Sequence, residues 1–234
     1  MNQRDFNNLN ITDNLIRDNN VGLDFGGGGY GPRVHSVLIK GNIIYNNSLT
    51  GVILNRVYGT GSGTTLTYPL EVTENIIIDN AGGALQFEYS PSVKFKIHKN
   101  ILKTNSSDIS TISSIGAPSS SNHLFTQNTI ISKGKNLSLE GSSSYHANNM
   151  NFTYNLFSSS SSSESIYIKY GSGHVFNYNN YFSNTAVYFR NQTTNSINEE
   201  CKSNRCIAFK SIVFGGTSVV SITLVSAFVF VPIV

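Results

Sequence analysis

VLIKGNIIYNN at residues 37–47 and LEVTENIIIDN at 70–80 are two copies of one pattern: an alternating run, an asparagine, more aliphatic residues, then a polar turn. FKIHKNILKTN (95–105) and LFTQNTIISKG (124–134) repeat it closely. NITDNLIRDN (10–19), NFTYNLFSS (151–159) and VFNYNNYFSN (175–184) are weaker copies. The pivotal residues are Asn14, Asn42, Asn75, Asn100, Asn128, Asn155 and Asn180, separated by 28, 33, 25, 28, 27 and 25 positions. Self-similarity at such a period marks a solenoid.

A second short strand follows most pivots, often opened by glycine. The copies are GLDF (22–25), GVILN (51–55), ALQFE (84–88), LSLE (137–140), SIYIKY (165–170) and AVYFR (186–190). Alternation within four to six residues is strand-like, and no window sustains a 3.6-residue period. Such short strands cannot bury a face alone, but stacked coil on coil they enclose one core. The expected fold is all-β: a parallel β-helix of about seven coils, each of three short strands. The pivotal Asn is expected to supply the positive φ of a sharp turn and to bond its equivalents in a ladder. Ile43, Ile76, Ile101 and Ile130 are expected near the core.

This pattern over residues 8 to 192 resembles the right-handed β-helix repeat of the pectate lyase-like superfamily, which includes polysaccharide lyases, glycoside hydrolases and epimerases. The resemblance implies a carbohydrate-active protein that binds or cleaves an extracellular polysaccharide, at the cell surface or beyond it. It also implies that functional side chains project from the sheet made by the glycine-opened strands. The motif encodes the coil rather than the chemistry, so whether the protein is an enzyme stays open. The competing reading is a non-catalytic, adhesin-like surface solenoid.

Composition supports a turn-rich β protein. Thirty asparagines, 33 serines and 20 glycines supply the polarity, and only 12% of residues are charged. A net charge of +3, with no run of basic residues, excludes a phosphate-tracking stripe and hence nucleic acid. No metal site or cofactor is expected, since two cysteines and dispersed histidines form no ligand set. Cys201 and Cys206 suit a local disulfide or two free thiols equally. The organisation expected is a β-helix domain over 1–195, a polar Cys-containing linker over 196–211 and an apolar segment over 212–234. MNQRDFNNLN is no signal peptide and enters the repeat without preamble, so an incomplete N-terminal end and an exposed first coil are expected. The uncharged stretch 212–234 reads first as a segment that contacts or spans a membrane, with a removed anchor signal or closing β-branched, Ser/Thr-rich strands as the alternatives.

Side chains alternate across a strand. With Leu23/Phe25, Val52/Leu54, Leu85/Phe87, Leu137/Leu139, Ile166/Ile168 and Val187/Phe189 inward, the outward column reads Asp24, Ile53, Gln86, Ser138, Tyr167, Tyr188. Further along lie Asn55, Glu88, Glu140, Lys169 and Arg190. Two long insertions, 26–35 and 56–69, follow the first two of these strands and bring Tyr30, Arg33, His35, Arg56 and Tyr58 towards them. Loops on a rigid scaffold are where sites are built. Asp24, Glu88, His35 and Arg33 are the candidate catalytic groups; Tyr30, Asn55, Arg56, Tyr58 and Gln86 are the candidate substrate-binding groups. Asp24 and Glu88, two coils apart at about 4.8 Å per coil, come near the roughly 6.5–9.5 Å of an inverting carboxylate pair. His35 beside Arg33 would instead suit a lyase, as a base next to a group that neutralises a uronate.

Overall fold

The structure is a computed structural model that describes residues 5–6, 8–25, 33–34, 36–55, 58–59, 68, 70–88, 94–115, 123–141, 148–160, 165–171, 173–183, 189–191 and 205–207. Every strand among them pairs in parallel with the equivalent strand one coil away, and no helix occurs among the described residues. Three long sheets result. The leading sheet has seven strands, from Leu9–Thr12 through Val37–Lys40, Leu70–Thr73, Phe95–His98, Leu124–Thr126 and Asn151–Thr153 to Val175–Asn177. The middle sheet has eight: Leu15–Arg17, Ile43–Tyr45, Ile76–Ile78, Ile101–Thr104, Thr129–Ser132, Leu156–Ser159, Asn180–Ser183 and Arg205–Ile207. The trailing sheet has seven: Leu23–Asp24, Val52–Asn55, Leu85–Glu88, Ile112–Ile115, Leu137–Glu140, Ile166–Ile168 and Phe189–Asn191.

The asparagine ladder is the device that closes each corner between the leading and middle sheets. Asn42 Nδ2 donates to Asn75 Oδ1 at 2.9 Å, Asn75 to Asn100 at 3.0 Å, Asn100 to Asn128 at 3.0 Å and Asn128 to Asn155 at 3.0 Å. The last rung is Asn179, not Asn180: Asn155 donates to Asn179 Oδ1 at 3.1 Å, whereas Asn180 begins the next strand and is exposed. Of two adjacent asparagines, the one that follows the left-handed residue turns into the corner. That left-handed residue is the one before the ladder asparagine, against the expectation from sequence. Asp13, Gly41, Glu74, Lys99, Gln127, Tyr154 and Tyr178 all have φ between 55° and 68°. An L-residue there costs about 1–2 kcal/mol. The bonds of the following asparagine offset that cost, so the position itself accepts almost any side chain.

A second ladder, not anticipated, closes the corner between the middle and trailing sheets. Asn19 and Asn47 donate backbone N–H groups to Asn47 Oδ1 and Asn80 Oδ1 at 3.0 and 3.1 Å. It obeys the same rule, with Asp18, Asn46 and Asp79 left-handed just before it. In later coils buried Thr104, Ser132 and Ser159 form a separate hydroxyl column at the end of the middle strands.

Glycine opens the trailing strands because the corner leaves no room. A Cβ at Gly51 would lie 2.5 Å from Ile77 Cγ2 and 2.9 Å from the Ala84 carbonyl oxygen. The column then widens to Ala84, Thr111, Asn136 and Ser165. Gly51→Ala is expected to cost about 1–3 kcal/mol by overpacking, read as a lower urea midpoint. A shift under about 0.3 kcal/mol would mean that the corner yields freely.

Inward columns make one continuous core. Leading-strand Ile39, Val72 and Ile97 give way to Phe125, Phe152 and Phe176, and middle-strand Ile44, Ile77, Leu102 and Ile130 give way to Phe157 and Tyr181. The aromatic half stacks ring on ring: Phe125 on Phe152 at 4.6 Å, Phe152 on Phe176 at 4.7 Å, Phe157 on Tyr181 at 5.3 Å. Only Ile130 of the four isoleucines expected inside is fully buried. Ile43 and Ile101 are 42% and 43% exposed, and Ile76 faces outward in the same column. The corner after the Asn sets the parity, so the second aliphatic residue of each triplet, not the first, points inward. Arg205–Ile207, within the span expected as a linker, pairs with Asn180–Phe182 as the eighth middle strand. The segment 212–234 and Cys201 lie outside the described residues.

Candidate functional site

Register fixes the trailing face. Asp24 pairs with Ile53, Ile53 with Gln86, Gln86 with Ser113, Ser113 with Ser138, Ser138 with Tyr167, and Tyr167 with Arg190. Two entries of this column differ from expectation. Ile112–Ile115 contributes Ser113; this strand was hidden because Ser114, fully buried, occupies an inward position usually held by an aliphatic residue. The residue paired with Tyr167 is Arg190 rather than Tyr188, which lies outside the described residues, since Phe189 aligns with Ile166.

Asp24 is exposed on its rung. Gln86 is half-buried, and its Oε1 accepts a hydrogen bond from the buried Thr50 hydroxyl at 3.0 Å. Asn55 and Glu88 face each other across adjacent coils by backbone pairing, and their side chains lie outside the described residues. Because Asp24 aligns with Gln86, Glu88 sits two residues further along the strand. Two rungs across and two residues along separate the two backbones by about 12 Å, wider than the straight two-coil spacing.

The two insertions return through a short extra ladder. Asp5–Phe6, Arg33–Val34 and Tyr58–Gly59 pair in parallel, with Asp5 opposite Arg33 and Arg33 opposite Tyr58. The backbone therefore brings Arg33 and Tyr58 to neighbouring rungs just ahead of the leading strands, while their side chains lie outside the described residues. Tyr30, His35 and Arg56 also lie outside them.

Further along the trailing face, Ser138 donates to Glu140 Oε1 at 2.7 Å and the Lys135 ammonium sits 4.9 Å over the Tyr167 ring. No group of three or more metal-ligating side chains occurs among the described residues.

A further polar cluster stands on the leading face, on residues the sequence did not single out. Glu71 Oε1 accepts from Lys96 Nζ at 3.2 Å and meets His98 Nε2 at 2.5 Å. Burial opposes the charge on Glu71, but the bonds from His98 and Lys96 outweigh it and hold the carboxyl below its usual range. Its signal was in the sequence: LEVT and FKIH, once paired, put Glu71 beside Lys96 and diagonal to His98.

Residues 1–114 match the family model described as "Right handed beta helix region". No curated protein and no solved structure matches the chain. The match ends inside the trailing strand Ile112–Ile115, yet the same asparagine ladder runs on through Asn128 and Asn155 to Asn179.

Proposed function

We propose that this right-handed parallel β-helix protein, whose first 114 residues carry the family match, binds an extracellular polysaccharide along the N-terminal half of its trailing face. The observation that supports this most is the short ladder pairing Arg33 with Tyr58, because it joins the two long insertions that leave the neighbouring rungs of Asp24 and Ile53. Guanidinium, phenol, amide and carboxylate groups are the chemistry that holds sugar hydroxyls and uronates. Successive rungs at about 4.8 Å step at nearly the length of one pyranose unit, so a polymer can run along the solenoid axis.

Binding is the reading proposed, and hydrolysis by Asp24 and Glu88 acting as an inverting pair is one enzymatic route it competes with. A lyase using His35 and Arg33 is the other. A panel of acidic and neutral polysaccharides separates the outcomes. Retention without turnover is the expected result, with affinity reduced about tenfold or more in Arg33→Ala and Asp24→Ala. New unsaturated ends absorbing in the ultraviolet would establish a lyase, and new reducing ends alone a hydrolase. If no polysaccharide is retained, or if Asp24→Ala, Glu88→Ala and Arg33→Ala all bind as before, the trailing-face site is wrong.

A further inference from the structure

We propose that the outer face of the middle sheet is the surface through which two copies of this chain pair. The corner that turns Ile44, Ile77 and Leu102 inward turns their neighbours outward. Leu15, Ile43, Ile76, Ile101 and Leu156 share one outward column. Tyr45, Ile78, Ile131 and Phe182 belong to the other. The outward columns of the leading sheet are mostly polar by contrast, with Leu38, Leu124 and Val175 as their apolar members. Among the described residues, every exposed large hydrophobic side chain except Leu49 lies on the middle face or at its edge. Leu15, Ile43, Ile101 and Phe182 stand on the strands, and Tyr154 and Tyr178 at the corner before them. The two tyrosine rings stack at 5.0 Å, within 8° of parallel, and widen the apolar strip.

Area, charge and pitch together point to a second copy. Eight strands at about 4.8 Å per rung make the face about 34 Å long, and the tyrosine corner brings its width to about 18 Å. Covering it buries about 600 Å² on each copy, and the total of about 1,200 Å² exceeds the roughly 1,000 Å² that a specific interface needs. From Leu15 to Phe182 the charged members of the two columns are Arg17 and Lys103. Each is paired within its own chain, Arg17 with Asp18 and Lys103 with Asp79, both at 3.4 Å. Two copies therefore bring neutral pairs together rather than like charges. An α-helix, repeating every 5.4 Å or so, slips by about 4 Å against the seven steps of this face, nearly a whole rung. A face with the same rung repeat stays in step throughout, so its side chains seat between these along the full length. A second copy has that repeat by identity, and the same patch on both copies closes a symmetric dimer.

Sedimentation velocity of the full chain from about 1 to 100 µM tests the pairing, with dimer expected to predominate at the upper end. Ile43→Glu and Ile101→Glu should each raise the dissociation constant about tenfold or more, and the double variant should stay monomeric throughout. Both side chains already face solvent, so the circular dichroism spectrum should not change. Leu49→Glu, an exposed apolar residue off the face, should leave the dimer intact. A full chain that is monomeric at about 100 µM would overturn the proposal, whether the face then lies open or beneath another part of the chain. So would a dimer that persists in the double variant, which other surfaces must hold. A dimer weakened as much by Leu49→Glu as by Ile43→Glu would be unspecific apolar association, and would overturn it too.

Discussion

Asn100→Ala is expected to destabilise the fold by about 3–5 kcal/mol, a large part of the total for a domain of this kind. Asn100 Oδ1 accepts from both Asn75 N and Asn75 Nδ2 at 3.0 Å. Its own Nδ2 donates to the Val72 and His98 carbonyl oxygens at 2.9 Å and to Asn128 Oδ1 at 3.0 Å. The side chain is 1% exposed, so water cannot replace those partners. Each buried group left without a partner costs roughly 1–3 kcal/mol, and several are orphaned at once. Asn14, exposed at the first described rung of the same ladder, makes among the described residues only local side-chain bonds and those to Asn42, and Asn14→Ala should cost under about 1.5 kcal/mol. Urea unfolding of the two variants reads the difference directly. Asn100→Asp sharpens the comparison: it keeps the acceptor and the shape, removes the donors and buries a charge. A cost under about 1 kcal/mol for Asn100→Ala would show that the sheets alone hold the corner.

The ladder was legible because it writes itself at a fixed spacing between aliphatic residues, and so was the parallel stacking that follows from it. What sequence could not deliver was parity and register at the corners. Whether Ile43 or Ile44 faces inward depends on one left-handed residue whose identity ranges from Asp13 to Tyr178, so composition carries no mark of it. The second ladder stayed hidden for a related reason. Among the described residues it consists of Asn19, Asn47 and Asn80, too short a run to stand out in an asparagine-rich sequence.

The site divides along the same line. The outward column of the trailing face was read correctly from Asp24 to Tyr167 apart from the missing Ser113, because alternation alone sets it. The distance between Asp24 and Glu88 depends on register, which alternation does not give. The Glu71–His98 contact crosses two strands 25 or more residues apart in sequence and becomes visible only when Leu70 is set against Phe95. His123 shows the same limit in the core. Its imidazole looked like one of five scattered histidines, but pairing of Lys96 with Leu124 puts it directly beneath Phe95 on an inward column.

That placement is expected to make the protein acid-sensitive. The His123 ring stacks on Phe95 with centroids 3.5 Å apart and planes 10° from parallel, and Nδ1 accepts the Phe95 N–H at 3.3 Å. The proton of the neutral ring is therefore on Nε2, which is buried with no partner among the described residues. Burial pushes the imidazole from its ordinary 6.5 down to about 3. A group whose pKa is lowered on folding binds more protons in the unfolded chain, so its contribution is complete above pH 6.5 and is lost as pH falls towards 3. The slope approaches 1.4 kcal/mol per pH unit, which amounts to about 2 kcal/mol by pH 5 and about 5 kcal/mol over the whole window. Glu71, held below the usual carboxylate range, adds loss of the same sign, but only once pH drops through that range. Between pH 6.5 and 5 the two are separable, and His123 governs the difference. Urea midpoints at pH 7.5, 6 and 5 should fall steadily for the native chain. In His123→Phe the ring stack is kept and the titrating group removed, so most of that fall should disappear, even though the variant starts lower for want of an acceptor for the Phe95 N–H. An undiminished slope in His123→Phe would assign the acid sensitivity elsewhere and would mean that the His123 ring takes its proton in the folded state by opening the coil around it.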